Sequence, residues 1–396
     1  MANSAIRSVS IYPLAIPMRR RVSHATSQRA VADPVVVAVE LLNGVVGYGE
    51  TLPRPYVTSE TVESVVSAIR EVFVPVLLEM HPEHFPGALE VIDALPFASA
   101  DGRAVPAARA AVELALLDAY ARHFRRPLAE VPGWMGLAGF GPPGSVRSIR
   151  YSGVLASTSI ASTRRTLRLL WWYGLRHFKL KVGLPDDAAR VAAVVKRMRS
   201  ALGKGSATLR LDANGAWSRE QAVERLITLP DVPIAGLEQP LAKGQEKDLP
   251  VVHQVGRVPL IHDESLVTLD DARRLVDLGV ADGFNIRISK CGGLLPSLRL
   301  AHFARQHGVS VQLGCMVGET SILSAAGGRF LEMVPGVAFA EGCFGSFLLR
   351  ADVTRRPLRF RYGGRVPKLP GPGLGLEVDP QRLAALSADD PVVCNL

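Results

Sequence analysis

No apolar run in this chain of 396 residues reaches the ~18 residues a membrane-spanning helix needs, so a membrane is not an expected partner. Cysteine is scarce. Cys291, Cys315, Cys343 and Cys394 are the whole complement, with neither CxxC spacing nor the density of a disulfide scaffold. That usage fits a reducing compartment. The N-terminus also lacks a charged leader followed by an apolar core and a small-residue cleavage site, so a cytoplasmic location is expected. Histidine pairs at metal-ligand spacing are missing too. His81 and His84 stand three apart, but in a Pro-containing turn with no acidic partner motif. The net charge of +9 has no tail or patch to sit on. Pairs such as Arg164-Arg165, Lys196-Arg197 and Arg273-Arg274 spread it over helix-like segments, which argues against a nucleic-acid partner. The longest basic run, Arg19-Arg20-Arg21, directly precedes a polar loop.

What is present is enough apolar content, 48%, for a large core, and a length that favours two domains. Residues 5–18 and 35–51 alternate and are rich in β-branched side chains. Asn43-Gly44 between Leu42 and Val45 reads as a two-residue hairpin turn with both residues at positive φ. Thr61–Leu78 and Pro106–Phe124 have helical patterns, the second rich in Ala and Leu. Polar loops are expected at Arg20–Asp33 and Thr51–Ser59. Together these predict an α+β capping domain over residues 1–140, followed by a Gly/Pro linker from Gly139 to Gly144.

Beyond it, eight apolar runs read as strands: Ile149–Val154, Phe178–Val182, Thr208–Leu211, Ile234–Leu237, Val258–Ile261, Gly283–Ile288, Val309–Leu313 and Val337–Ala340. Most are continuously apolar, as strands buried on both faces require. Helical stretches such as Pro185–Leu202, Ser218–Leu229, Leu269–Leu278 and Pro296–His307 separate them, and Asp248–Val255 gives the weakest helix pattern. Strict alternation predicts the α/β class: a modified (β/α)8 TIM-type barrel over residues 145–353. From residue 354 the chain turns Pro/Gly-rich, and 354–396 reads as a return segment that packs on the cap.

The strand ends carry the chemistry. Lys179-Leu180-Lys181, Asp212-Ala213-Asn214, Glu238-Gln239-Pro240, Asp263-Glu264-Ser265 and Lys290 follow one another at intervals of roughly 25 to 31 residues, each closing an apolar run. In a (β/α)8 barrel such positions point into the mouth. Period-two alternation puts Lys179 and Lys181 on one face. The second and sixth strands of a ring of eight lie opposite each other, so Lys290 is expected to face the K-x-K pair with three carboxylates in the arc between. Three converging carboxylates repel unless they are paired. The lysines could neutralise them, but their ordered recurrence favours a hard dication, Mg²⁺ or Mn²⁺, in an all-oxygen shell. A lysine beside a second ammonium and a dication is a candidate base for a proton α to a carboxylate, with the metal stabilising the enediolate. His262 should point away from Asp263 and pack. Cys291, Cys315 and Cys343, each just after a strand, also read as packing residues, as do Trp171 and Trp172.

In these motifs, ending with Asn285-Ile286-Arg287-Ile288-Ser289-Lys290-Cys291-Gly292-Gly293, the chain resembles the enolase superfamily, within it the muconate lactonizing enzyme subgroup. The resemblance implies Lys181 and Lys290 as catalytic bases, Lys179 as tuning Lys181 and holding the substrate carboxylate, and Asp212, Glu238 and Asp263 as metal ligands. Asn214 and Glu264 would stand behind them. The related mandelate racemase subgroup uses a seventh-strand His, which Val311–Met316 lacks; Lys290 fits the muconate lactonizing type. It also implies that two cap loops close the mouth, bringing His24, Arg29, Arg54 and Tyr56 toward the substrate. Relatives carry G-x-M-x-E after the seventh strand. Here Gly318 separates Val317 from Glu319, leaving the role of Glu319 open. The D-x-D of dipeptide epimerases is replaced by Ala340-Glu341-Gly342-Cys343-Phe344. The implied function is Mg²⁺-dependent proton abstraction from a small-molecule carboxylate by an isomerase, a cycloisomerase or a racemase/epimerase. A syn-dehydratase and a non-catalytic metal-binding barrel are the alternatives, and a homo-oligomer is expected.

Overall fold

The computed structural model describes residues 4–24, 27–141, 149–256 and 258–396, with residues 20–24, 27 and 28 as backbone only. The expected Gly139–Gly144 linker therefore lies outside the described residues from 142 onward.

The N-terminal part has five strands: β1 Ile6–Pro13, β2 Ile16–His24, β3 Ser27–Ala32, β4 Val35–Leu41 and β5 Val46–Thr51. β1, β4 and β5 form an antiparallel sheet. The β4–β5 hairpin occurs where Asn43-Gly44 predicts it, but with a longer turn. Gly44 N–H closes it onto the Leu41 carbonyl at 2.8 Å, and within the turn only Gly44 has positive φ, +83°. The Asn43 side chain accepts from Val45 N–H at 3.1 Å, which fixes a three-residue loop ending in a left-handed glycine. The segment Arg20–Asp33, expected as a loop, instead forms most of the β2–β3 ribbon. Its polar, charge-rich sequence carries no clear apolar alternation, so alternation rules miss the pairing. The ribbon reaches the barrel, where Arg350 N–H donates to the Pro17 carbonyl at 2.9 Å.

The helix Pro106–His123 starts with Pro at its first position and is buried from Pro106 to Ala121. A helix enclosed on all sides must spend its polar groups internally. Arg109 donates to the carbonyls of Leu95 at 3.0 Å and Gly292 at 2.5 Å. Glu113 accepts from Leu295 N–H at 2.7 Å, and Asp118 accepts from the N–H groups of Tyr48 and Leu374. Cap sheet, barrel and C-terminal segment are thus joined through one helix. Gly293 (φ +119°) lies against Glu113 so closely that a Cβ there would overlap its carboxylate.

Among the described residues, eight parallel strands form the second sheet: β6 Gly153–Leu155, β7 His177–Lys181, β8 Thr208–Asp212, β9 Gly236–Glu238, β10 Leu260–His262, β11 Gly283–Ile286, β12 Ser310–Leu313 and β13 Phe339–Ala340. They neighbour one another in sequence order. A parallel bridge between Tyr151 and Ala340 joins the first to the last, closing the ring. All eight correspond to the apolar runs read above, with shifted ends. The intervening helices carry side-chain N-caps: Ser159, Ser218, Thr268 and Thr320 each accept a backbone N–H from the first turn. The weakly patterned stretch becomes the helix Leu249–Val255. After the barrel, β14 Val392–Asn395 pairs antiparallel with β1. On the way, Arg329 on the last barrel helix donates to the carbonyls of Gly371 and Gly373, and Arg122 on the cap helix donates to that of Leu376.

Candidate active site

Strand register assembles the site. β7 and β8 pair Lys179 with Arg210 and Lys181 with Asp212; β8 and β9 pair Asp212 with Glu238. These side chains share the inward face, so the alternation expected for the K-x-K pair is observed.

The two lysines of that pair have different surroundings. Lys179 is buried. Its Nζ lies 2.7 Å from Glu341, 3.1 Å from Glu238 and 3.1 Å from Asp212. Burial pulls its pKa down, but Glu238, Glu341 and Asp212 outweigh burial and hold it above the ordinary lysine value. Lys181 is 18% exposed and opens onto a cavity, with Nζ 2.6 Å from Asp212 Oδ2 and 2.7 Å from Asn214 Oδ1. Asp212 is fully buried. That burial opposes its charge, but Lys181 and Lys179 overcome it and keep its carboxyl well below the usual range. Asn214, at φ +47°, also donates to Glu264 Oε1 at 3.2 Å. Burial, then the Asp212 charge, raises the Glu264 carboxyl.

Glu238 accepts from Asn285 Nδ2 and Gln312 Nε2, both at 2.9 Å. Gln239 braces the next strand end: its amide oxygen accepts from the N–H groups of Asp263 and Ser265, and its nitrogen donates to Leu241 O and Ser265 Oγ. Sequence reading missed Gln239, Asn285, Gln312 and Arg210. Each falls inside or beside a quoted motif or strand, but a neutral amide in an apolar run carries no signal of its own, and Arg210 finds its partners Ser152 and Gln312 only across the barrel. Glu341 was noted only as a departure, although it directly follows β13 and takes both Lys179 and Arg210.

The sixth strand differs from the expectation. β11 ends at Ile286 and the chain then coils, so period-two alternation no longer applies at Lys290. Lys290 is enclosed behind Asp263. Its Nζ donates to Asp263 O at 2.5 Å, Asn285 O at 2.9 Å and Asp263 Oδ1 at 3.0 Å. An ammonium has three donors, and all three are spent on the protein. Burial brings its pKa down to about 8. Arg287, the first residue past β11, lines the cavity, ion-pairs with Asp263 Oδ2 and lies 3.4 Å from Glu264 Oε1.

The cavity holds about 480 Å³. Tyr56, Arg29 and Arg54 reach it from the cap, Ser157, Thr158 and Ser162 from the segment after β6, and Met316, Phe344 and Leu348 give it an apolar wall. Arg54 and Arg29 both pair with Asp33, so the cap cations are held in place. The side chain of His24 lies outside the described residues. Glu319 turns back to brace its own loop, accepting from Met316 N–H and Ser324 Oγ–H, and burial raises its pKa to about 7. His262 packs as expected, edge-on to Phe284, with Nε2 2.8 Å from the Val280 carbonyl.

Lys179, Lys181, Arg210, Arg287 and Lys290 thus face Asp212, Glu238, Asp263, Glu264 and Glu341. With every acid paired, no three acidic, His or Cys side chains among the described residues are gathered closely enough to hold an ion in this arrangement.

Comparison with known proteins bears on the family and the fold. Residues 7–133 match the mandelate racemase / muconate lactonizing enzyme N-terminal domain, and residues 163–382 match the enolase C-terminal domain-like family. The chain is 31% identical to muconate cycloisomerase 1 of Rhodococcus opacus, covering 96% of this chain and 97% of that one. It is 26% identical to the N-succinyl-L-Arg/Lys racemase of Bacillus cereus, covering 98% and 99%. Among solved structures, a dipeptide epimerase from Enterococcus faecalis complexed with Mg and L-Leu-L-Tyr superposes with a TM-score of 0.80 at 26% identity, over 94% of this chain and 99% of that one. Both domain models, near-complete coverage and the ordered strand-end motifs lead to one conclusion: the chain belongs to the mandelate racemase / muconate lactonizing enzyme family and is an enzyme of the enolase superfamily.

Proposed function

We propose that the enzyme removes the proton α to a carboxylate of a small-molecule substrate, with Lys181 as the base and Asp212, Glu238 and Asp263 holding Mg²⁺ or Mn²⁺. The observation that carries this reading is the division within the K-x-K pair. Lys179 is spent on three carboxylates, whereas Lys181 is held by Asp212 and Asn214 at the edge of the cavity. Neutral Lys181 would present its lone pair to a substrate seated there, within the reach that general-base catalysis needs.

The donor set fits a hard dication. Three fully buried carboxylates stand at or directly after the ends of consecutive strands, and Asp263 Oδ2 is held by the Arg287 guanidinium. Because the acids are already paired, Arg287 is the cation that would release Asp263 when a dication binds. The dication would supply the charge that stabilises the enediolate. Lys179 would hold the substrate carboxylate beside it, Asn214 would orient Lys181, and the apolar wall of Met316, Phe344 and Leu348 would exclude water.

The relatives favour an isomerase reaction, and residues 1–140, 145–353 and 354–396 would act as cap, barrel and return segment. The test has two arms. Calorimetry should detect one Mg²⁺ per chain in the wild type and at least ~10-fold weaker binding in Glu238→Ala. In D₂O, a panel of N-succinyl-L- and -D-arginine, L-Ala-L-Glu, L-Ala-D-Glu and muconolactone, followed by mass spectrometry, should reveal solvent deuterium at one α-carbon. Undiminished Mg²⁺ binding by Glu238→Ala would remove the ligand assignment. An absence of exchange with every probe would remove the reaction.

A further inference from the structure

The sequence spreads its basic residues over separate stretches, and the fold gathers many of them. Three stretches, 131–185, 188–211 and 353–376, contain no Asp or Glu, yet hold 20 of the 46 lysines and arginines. The rest of the chain is therefore net negative, with 26 basic residues against 37 acidic ones. The three stretches pack side by side. The helix Ile160–Trp172 lies against the helix Asp187–Gly203, whose Arg197 sits 5.3 Å from the Trp171 ring. Its C-terminal end meets the return segment: Gly363 N–H donates to the Tyr173 carbonyl at 2.9 Å, and the Tyr173 and Tyr362 rings are 5.8 Å apart.

The surface so formed is cationic and apolar together. Arg164, Arg168 and Trp172 follow at i, i+4 and i+8 along the exposed side of the first helix, with Leu169 beside them. Trp172 is 80% exposed, more than any other large apolar side chain among the described residues, and Tyr362 and Leu169 stand at 63% and 60%. Arg355 pairs with Asp379, but among the described residues Arg164, Arg168, Arg197, Arg361 and Arg365 pair with no carboxylate. Trp172 and Tyr362 lie where this helix hands over to β7, whose first residue, His177, is ~13 Å along the strand from Lys181. A partner seated on them leaves the cavity mouth open.

We propose that this face docks on an anionic lipid surface. Its charge has no partner within the molecule and calls for an anionic one outside it. A two-fold contact with a second copy would set the same guanidiniums against each other. A nucleic acid would use the cations and stack on the rings, but it gains nothing from Leu169. A bilayer interface takes all three groups: the guanidiniums on lipid phosphates, Trp172 and Tyr362 at headgroup level, and Leu169 toward the acyl chains. The net-negative remainder is repelled by the same lipids, which fixes the orientation. Such a peripheral contact asks for no spanning helix, and it is independent of the chemistry assigned to the cavity.

Co-sedimentation of the full chain with vesicles tests the proposal. One set is phosphatidylcholine alone, the other phosphatidylcholine with ~30% phosphatidylglycerol, both in ~0.1 M and ~0.5 M NaCl. Binding to the anionic set should be at least ~10-fold tighter than to the neutral set, and the higher salt should remove most of that difference. Arg361→Glu with Arg365→Glu should weaken it ~10-fold or more, and Trp172→Ser ~3-fold or more, with folding checked by circular dichroism. Arg70→Glu with Lys247→Glu makes the same change in net charge at exposed positions outside the three stretches, and should cost ~2-fold at most. Equal binding to both vesicle sets, or to neither, would overturn the proposal. So would equal losses in the two double variants, which would make net charge and not this face the cause. Tighter binding of a single-stranded oligouridylate than of the anionic vesicles at ~0.1 M salt would give the face to a nucleic acid and overturn the lipid assignment.

Discussion

The ends of the second and sixth barrel strands both carry a lysine two or three residues from a neighbouring cation, yet their surroundings differ. On β7, Lys181 is the last strand residue, so its direction follows from the pleat, and it opens onto the cavity. On the sixth strand, Lys290 stands four residues past the end of β11 and has turned inward to hold Asp263, leaving Arg287 at the cavity. The same residue type thus opens onto the cavity on one side and is enclosed against Asp263 on the other. Direction can be read from sequence only while the strand lasts.

The sharpest test of that division pairs Lys181→Ala with Lys290→Met. Lys181→Ala should cost at least ~10²-fold in turnover, the lower end of what a positioned base contributes, while the unfolding midpoint stays nearly unchanged because the side chain is partly exposed. Lys290→Met should do the reverse in stability. Removing one member of a buried charged pair costs ~3–5 kcal/mol, and the lower figure is expected because Arg287 still pairs with Asp263. Denaturant titration of both variants beside turnover decides it. A Lys290→Met enzyme as stable as wild type but inactive would return Lys290 to the chemistry.

What the sequence made legible follows the same boundary. The fold class, the strand-end acids and the inward face of Lys179 and Lys181 all rest on periodicity inside regular elements, and the observed register repeats them. Arg287, Glu341 and the amides of Gln239, Asn285 and Gln312 were not legible. Their roles come from contacts between strands far apart in sequence, such as Gln312 with Glu238 and Glu341 with Lys179. The β2–β3 ribbon was hidden for another reason: the stretch Arg20–Asp33 is rich in polar and charged residues and shows no clear apolar alternation to read.

A smaller effect sharpens the contrast on the fifth strand, next to Asp263. His262 is enclosed, and burial lowers its pKa to about 4. A histidine depressed in the folded state contributes stability that is fully present above its unfolded value near 6.5 and is lost as pH falls toward 4. The loss should reach about 3 kcal/mol. His262→Gln should flatten that part of the stability–pH curve, measured by denaturant titration at half-unit steps. An unchanged acid limb would mean that other groups govern it.

The smallest expected effect lies back at β7. Asn214 holds a left-handed backbone, φ +47°, and its side-chain oxygen accepts from Lys181 Nζ at 2.7 Å. Alanine there would remove the hydrogen bond and add backbone strain together. Glycine removes the same hydrogen bond but adopts positive φ freely, so Asn214→Gly isolates the contact. A single hydrogen bond to a charged group contributes about 1.5 to 3 kcal/mol when buried, and less at an edge open to the cavity. Asn214→Gly should therefore lose about 1 kcal/mol or less in stability, while kcat falls several-fold and KM changes little, because Lys181 is still present but less firmly aimed. If KM rose instead with kcat intact, Asn214 would be holding substrate and not the base.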